Sequence, residues 1–264
     1  MNVIKRELKQ NFKSMIIWSL SVSFLVLVWM IEYESFAGNP DINDFMDSLP
    51  QELIALMGFG EYSLSTLGGF VATLSLYLYL ILGIHGALLG SSIISKEERD
   101  KTAEFLFTRP VSRRKIMLGK IVAAVKMSAV INLLVFLSMI LSTLKYERDE
   151  NFYKFAAFMF LGVFFVQLIF LSMGMLIASL SRNYKKSGNM AVGMVMITFL
   201  ISSLIDMVKD LDFLKYLTPF KYFNAADILE NTSLDPLFIV ISILIILMGM
   251  VGTVIIYPKR DLDI

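Results

Sequence analysis

Six stretches of this chain carry no acid or base over at least 18 residues: 14–31, 62–95, 127–144, 155–181, 187–205 and 236–258. A helix needs about 17–25 apolar residues to cross a bilayer core. The pattern predicts an all-α integral membrane protein with six transmembrane helices. The second run is too long for one crossing, so its helix is placed from Gly69 onward. The third extends back past Lys126, whose long side chain can snorkel to the headgroups. The expected spans are about 14–31, 69–95, 116–144, 155–181, 187–206 and 236–257, within one transmembrane domain over 1–264. A cleaved leader is not expected, because Glu32 follows the first run without a small-residue cleavage site.

Charge orients the spans. Segments 1–13, 96–120, 182–186 and 259–264 hold 17 Lys and Arg, against 6 in segments 32–61, 145–154 and 206–235. Acids divide the other way, 7 against 16. The excess of bases marks the cytoplasmic side, so both termini are expected inside.

Composition excludes several chemistries. The chain has no cysteine and one histidine. Disulfides, thiolate metal sites and multi-histidine metal sites are therefore out. No phosphate loop G-x-x-x-x-G-K, no G-x-S-x-G and no H-E-x-x-H occurs. No basic-aromatic nucleic-acid surface appears beyond the membrane-flanking charges. No catalytic residue, directly bound cofactor or metal ligand is expected.

Residues 1–13 place Ile4, Leu8 and Phe12 on one helical face among four bases. This predicts an amphipathic helix lying in the inner interface. Trp18 and Trp29 near the ends of the first span suit the aromatic belts. Residues 48–57 predict a short helix on the outer surface, with Pro50 in its first turn. Gly86 and Gly90, at i and i+4 in the second span, permit close helix approach and suggest a dimer contact. His85 and Gln167 are polar groups within spans and candidates for the transport pathway. For His85 a neutral imidazole hydrogen-bonded to a neighbouring helix is the favoured reading, since no carboxylate lies deep in any span. Gln167 fits either a hydrogen bond between helices or a substrate contact. Between 206 and 235, Phe213, Tyr216, Phe220, Tyr222 and Phe223 crowd eleven residues. Such a stretch is expected to lie on the outer leaflet or dip back into it.

The most informative stretch is 95–120, SKEERDKTAEFLFTRPVSRRKIMLGK, with eight bases and four acids. An apolar patch at Ala103, Phe105, Leu106 and Phe107 sits inside it. A solvated loop has no need of such a patch, whereas a docking segment does. Asp100 or Thr102 can cap a short helix in which Ala103, Leu106 and Phe107 share a face. Pro110 ends that helix, and Ser112 can cap the next one. Helix-in-groove docking uses elements of this kind.

The run from Glu97 to Lys115, followed by Gly119 and Lys120, resembles the ABC-2 type exporter permeases. Their recurrent pattern E-x-x-x-G-T-x-E-x-L-L-x-x-P-V-S-R-x-x-x-x-x-G-K lies between spans two and three. Thr102, Glu104, Pro110, Val111, Ser112, Arg113, Gly119 and Lys120 fall in register. Lys101 stands where Gly is commoner, and Phe-Leu-Phe replaces Leu-Leu. The segment Leu217-Thr218-Pro219-Phe220-Lys221-Tyr222-Phe223 before the last span adds to the likeness.

The resemblance implies a multi-pass permease subunit of a bacterial plasma membrane. It would pair with a second copy or homologue and with two ABC ATPase subunits that bind ATP and Mg. The 97–109 helix would be the coupling helix. Glu98, Asp100, Thr102, Glu104, Phe105, Leu106, Phe107, Arg109, Pro110 and Arg113 would carry the coupling. The outer segment would be the re-entrant element. Spans with few charges suit a hydrophobic or amphipathic cargo: a peptide, drug or lipid. The alternatives are an ATP-independent channel or secondary transporter, or a scaffold recruiting a cytosolic partner. No repeated broken-helix pattern or deep coupling carboxylate supports an ion-coupled carrier.

Overall fold

The computed structural model describes residues 3–37, 39, 48–50, 62–101, 112–181 and 183–259. Among them the regular elements are all helices: α1 Val3–Phe36, α2 Leu67–Arg99, α3 Arg113–Thr143, α4 Phe152–Leu180, α5 Tyr184–Met207, α6 Ala225–Asn231 and α7 Pro236–Ile256. All except α6 are long and apolar enough to cross a membrane. Short 3₁₀ segments occupy Lys209–Leu217, Pro219–Lys221 and Tyr257–Lys259.

Helix starts follow local chemistry. The Thr66 hydroxyl accepts the Gly69 N–H at 3.2 Å and opens α2. Ser112 accepts the Lys115 N–H at 3.3 Å and opens α3, as its sequence position predicts. Asp235 accepts the Leu237 N–H at 2.8 Å and opens α7. Pro236 follows at a position where no N–H is needed.

Two helices make the centre. The most apolar windows of α2 and α4 are 72% and 61% buried, against 22% for α1, α5 and α7. Glycine is what brings α2 and α4 together. A Cβ at Gly86 would fall on the Gln167 carbonyl, and one at Gly90 on the Leu171 carbonyl. From the other side, a Cβ at Gly174 would fall on the Ala87 carbonyl. The two backbones touch, which only small residues allow. The expectation of a dimer contact at Gly86 and Gly90 is thereby corrected: both positions are filled by α4 of the same chain.

α1 runs beside α3, with Val3 at Gly119 near one end and Met30 at Tyr146 near the other, where Tyr146 Oη donates to the Met30 carbonyl at 3.1 Å. α5 packs on α2 and α4, and α7 packs mainly on α4.

The N-terminal expectation needs correction. α1 is one continuous helix of 34 residues, roughly 50 Å long, against a hydrocarbon core of about 30 Å. Residues 3–13 extend the first span rather than forming a separate interfacial helix. Val3, Ile4 and Leu8 pack on an apolar floor built from α2 and α3, including Ile93, Ile116 and Ile121. Only Phe12 of the expected apolar face stays open, at 52% exposure. The two tryptophans also turn inward. Trp18 meets His85 edge-on at 4.9 Å, and Trp29 packs on Phe70 and Tyr77.

The aromatic segment after α5 folds back into the bundle. Phe213 and Tyr216 remain open, while Phe220, Tyr222 and Phe223 are buried. Phe220 meets Phe170 and Phe199 at 5.4 and 5.5 Å between ring centroids. Phe170 lies roughly 27 Å along α4 from Phe152, so the segment re-enters more than halfway along that helix. Phe223 stacks on Phe165 at 5.5 Å, and its carbonyl accepts the Tyr79 hydroxyl at 2.7 Å. Thr218 donates to the Thr198 carbonyl at 2.8 Å. Residues 51–57 of the short helix expected over 48–57 lie outside the described residues.

Candidate functional site

The two ends of the bundle differ in charge. One end gathers the start of α1, the end of α2, the starts of α3 and α5, and the end of α7; it is called here the basic end. The charged stretch singled out in the sequence joins α2 to α3 there. Thr102, Glu104, Phe105, Leu106, Phe107, Arg109 and Pro110 lie outside the described residues, so the site is built from the roots on either side.

At the first root, α2 continues through the charged Lys96-Glu97-Glu98 and closes at Arg99. Asp100 is its C-cap, with its N–H on the Lys96 carbonyl at 2.8 Å. It ends α2; the short helix expected after it lies outside the described residues. Lys101 then takes φ 53°, the left-handed conformation in which Gly ends helices at least cost. This gives a physical reason for Gly being commoner at that place in the resembling pattern. At the second root, Ser112 and Arg113 start α3.

An ion network ties the roots together. Lys120 of α3 is fully buried and donates to both the Glu97 carboxylate and the Ile93 carbonyl of α2. Glu97 also accepts from Arg6 of α1 at 2.9 Å. Arg6 reaches Glu7 at 2.9 Å as well. Glu7, with no exposed surface, pairs with Lys96 of α2. Lys96 donates further to Gln10 at 2.6 Å. Two carboxylates and three cations thus interlock α1, α2 and α3. Buried charge is tolerated only when paired and hydrogen-bonded in this way.

α7 reaches the same roots. The Tyr257 hydroxyl, buried to 1% exposure, donates to Glu98 at 3.1 Å. Arg113 donates to the Pro258 carbonyl at 3.1 Å. Of the expected coupling residues, Glu98, Asp100 and Arg113 are thus brought to one place.

His85 and Gln167 lie elsewhere, in the middle of the bundle. Gln167 pairs with His85 Nδ1 at 3.0 Å and accepts from the Asn132 amide at 2.8 Å. The three side chains bridge α2, α4 and α3, and all are buried. They satisfy one another within the chain.

Sequence reasoning missed Glu7, Lys96, Tyr257 and Asn132 as site or bridging residues. It named Glu97 and Lys120 without pairing them. One signal was available: Glu7 is the only acid among the four bases of residues 1–13. Asn132 gave none, being a lone amide in an apolar run.

A family model described as ABC-2 family transporter protein matches residues 1–262. No match was found among curated proteins.

Proposed function

The chain belongs to the ABC-2 family of transporter proteins, and from this premise we propose that it is the transmembrane permease subunit of an ATP-driven exporter. It is a multi-pass membrane protein and a transporter component; ATP hydrolysis is assigned to separate ABC ATPase subunits, which bind ATP and Mg. Two permease subunits, identical or homologous, form the pathway. The basic end faces the cytoplasm and the ATPases, in keeping with its excess of Lys and Arg.

The observation that carries this reading is the fastening at the basic end. The ends of α1, α2, α3 and α7 converge on the two roots of residues 102–111 through charged and hydrogen-bonded contacts. A segment held at both roots by buried chemistry suits the transmission of force. A slack connection would need none of it. Phe105, Leu106 and Phe107 are the docking residues of the segment, seated in a groove of the ATPase. The cargo is hydrophobic or amphipathic, a peptide, drug or lipid. The apolar faces that α1, α5 and α7 leave open, such as Leu20, Phe24, Leu200 and Leu244, support an apolar subunit boundary.

The test is co-expression with an ABC ATPase encoded beside this chain, and purification through a tag on this chain alone. The ATPase co-purifies and hydrolyses ATP. Replacing Phe105, Leu106 and Phe107 with Ser, Glu and Ser leaves insertion intact and removes the ATPase. If the ATPase stays bound to the triple variant, the docking assignment fails. If the unsubstituted chain emerges alone, the reading gives way to an ATP-independent channel or a scaffold.

A further inference from the structure

The ion network does more than satisfy charges, because it includes α1, which lies outside the 95–120 stretch altogether. Glu7 and Lys120 are both without exposed surface, and Glu97 is 3% exposed. Withdrawing α1 from α2 and α3 at this end would part Glu7 from Lys96 and Arg6 from Glu97 at once. Glu97 would keep only Lys120, and Lys96 would lose the buried carboxylate it pairs with. Breaking buried pairs of this kind is costly. Beneath the charges, Val3 presses on Gly119 of α3, where an added Cβ would come within 2.9 Å of Val3 Cβ.

The contact with α5 is of a different kind. At this end α5 meets α2 through the Ser91–Ser187 hydroxyl pair at 3.0 Å, and no ion pair joins them among the described residues. One boundary is held by interlocked charge; at the other, the described contacts are a neutral hydroxyl pair and close packing. The paired, buried charges make the first boundary costly to part.

We propose that Glu7, through Lys96 and Arg6, is a positioning residue that binds α1 to the roots of the docking segment. The basic ends of α1, α2 and α3 then move as one body, and α1 carries the stroke although it is not joined to that segment in sequence. This rests on the exporter reading, since the stroke is the one an ATPase would deliver.

The native chain has no cysteine, so introduced pairs are unambiguous. The full chain with its ATPase, in lipid nanodiscs, is spin-labelled at two exposed pairs. Lys9→Cys with Arg114→Cys spans α1 and α3; Arg114→Cys with Lys186→Cys spans α3 and α5. Distances are measured without nucleotide and after trapping with ATP and vanadate. The first pair keeps one narrow distance in both states, while the second shifts. Glu7→Gln broadens the first pair and leaves the ATPase bound. A shift of the first pair as large as that of the second, or an unchanged first pair in Glu7→Gln, overturns the proposal.

A second variant does not depend on Glu7. Val3→Cys with Gly119→Cys puts the two Cβ atoms 2.9 Å apart. That is closer than the roughly 3.8 Å of a disulfide, so the helix ends ease apart by about an ångström to close the bond. Oxidation fastens α1 to α3, and ATP hydrolysis by the complex continues at its reduced-state rate. Arrest on oxidation, relieved by reductant, overturns the proposal, since α1 must then part from α3. Loss of the ATPase from the unsubstituted complex is a different failure: it overturns the exporter reading and this inference with it.

Discussion

The two ends of the bundle are closed by opposite means. At the basic end, charges are buried and paired across three helices. At the other end, rings do the packing: Phe220, Tyr222 and Phe223 fill the space between α4, α5 and α7. The ion pairs there stay near the surface. Lys145 and Glu34, for example, are each more than half exposed. Their hydrogen bond raises Lys145 above its usual range, yet water screens such a pair and leaves it little weight in the fold. Buried charge fixes partner and register, because each mispairing strands a charge. Aromatic packing fixes volume and tolerates small slides. Under the proposed exporter reading, the first suits an end that an ATPase would grip and the second an end that would rearrange.

The sharpest way to break this contrast is Glu97→Ala. It leaves Lys120 buried with only a carbonyl beside it, and truncating one partner of a buried pair costs roughly 3–5 kcal/mol. Chemical denaturation in detergent should register a loss of that order. Adding Lys120→Met should recover most of it, since an apolar group can replace a buried ion. A loss that persists unchanged in the double variant would mean that the packing, and not the charge, holds this end.

Phe223→Ala tests the other end. Phe223 is 1% exposed and stacked on Phe165, so truncation should cost about 3 kcal/mol. Phe223→Leu keeps most of the volume and should cost under about 1.5 kcal/mol. The ratio matters here: conserving shape should rescue this end and do nothing for Glu97. Equal losses for Ala and Leu would erase the distinction between the two ends.

How much of this was legible beforehand follows the same division. The six spans were readable because each is an unbroken run, and backbone physics in lipid leaves such a run little choice but helix. That the aromatic segment would pack against something was readable from five aromatics in eleven residues, and three of them are buried in the bundle. What failed was the identity of partners. The Ile4, Leu8 and Phe12 face is amphipathic whether it meets lipid or protein, and periodicity cannot tell them apart. Gly86 and Gly90 announce a close neighbour without naming it. Glu97 and Lys120 are 23 residues apart, and only the antiparallel turn of α2 into α3 brings them together. For His85 a hydrogen bond to a neighbouring helix was the favoured reading and is what the structure shows, but only the fold names the partner, Gln167.

Tyr257→Phe probes the seam between the charged network and α7. It removes one hydrogen bond to a carboxylate and should cost about 1–2 kcal/mol. The ATPase should stay bound, because the roots keep their ion pairs. Release of the ATPase would instead make α7 an essential member of the fastening.

The smallest expected effect runs in the stabilising direction. Lys101 follows the α2 cap at φ 53°, where a side chain costs roughly 1–2 kcal/mol relative to Gly. Its N–H already closes on the Glu98 carbonyl at 3.3 Å, so the turn is formed and only the Cβ is strained. Lys101→Gly removes that strain but gives the unfolded chain more freedom. The net gain should be at most about 1 kcal/mol. It should appear as a modest rise in the denaturation midpoint, and the spin-label distance from Lys9 to Arg114 should stay unchanged. If that distance broadened as stability rose, the strain at Lys101 would be part of what holds the root stiff. The charged network would then share that task with a single backbone angle.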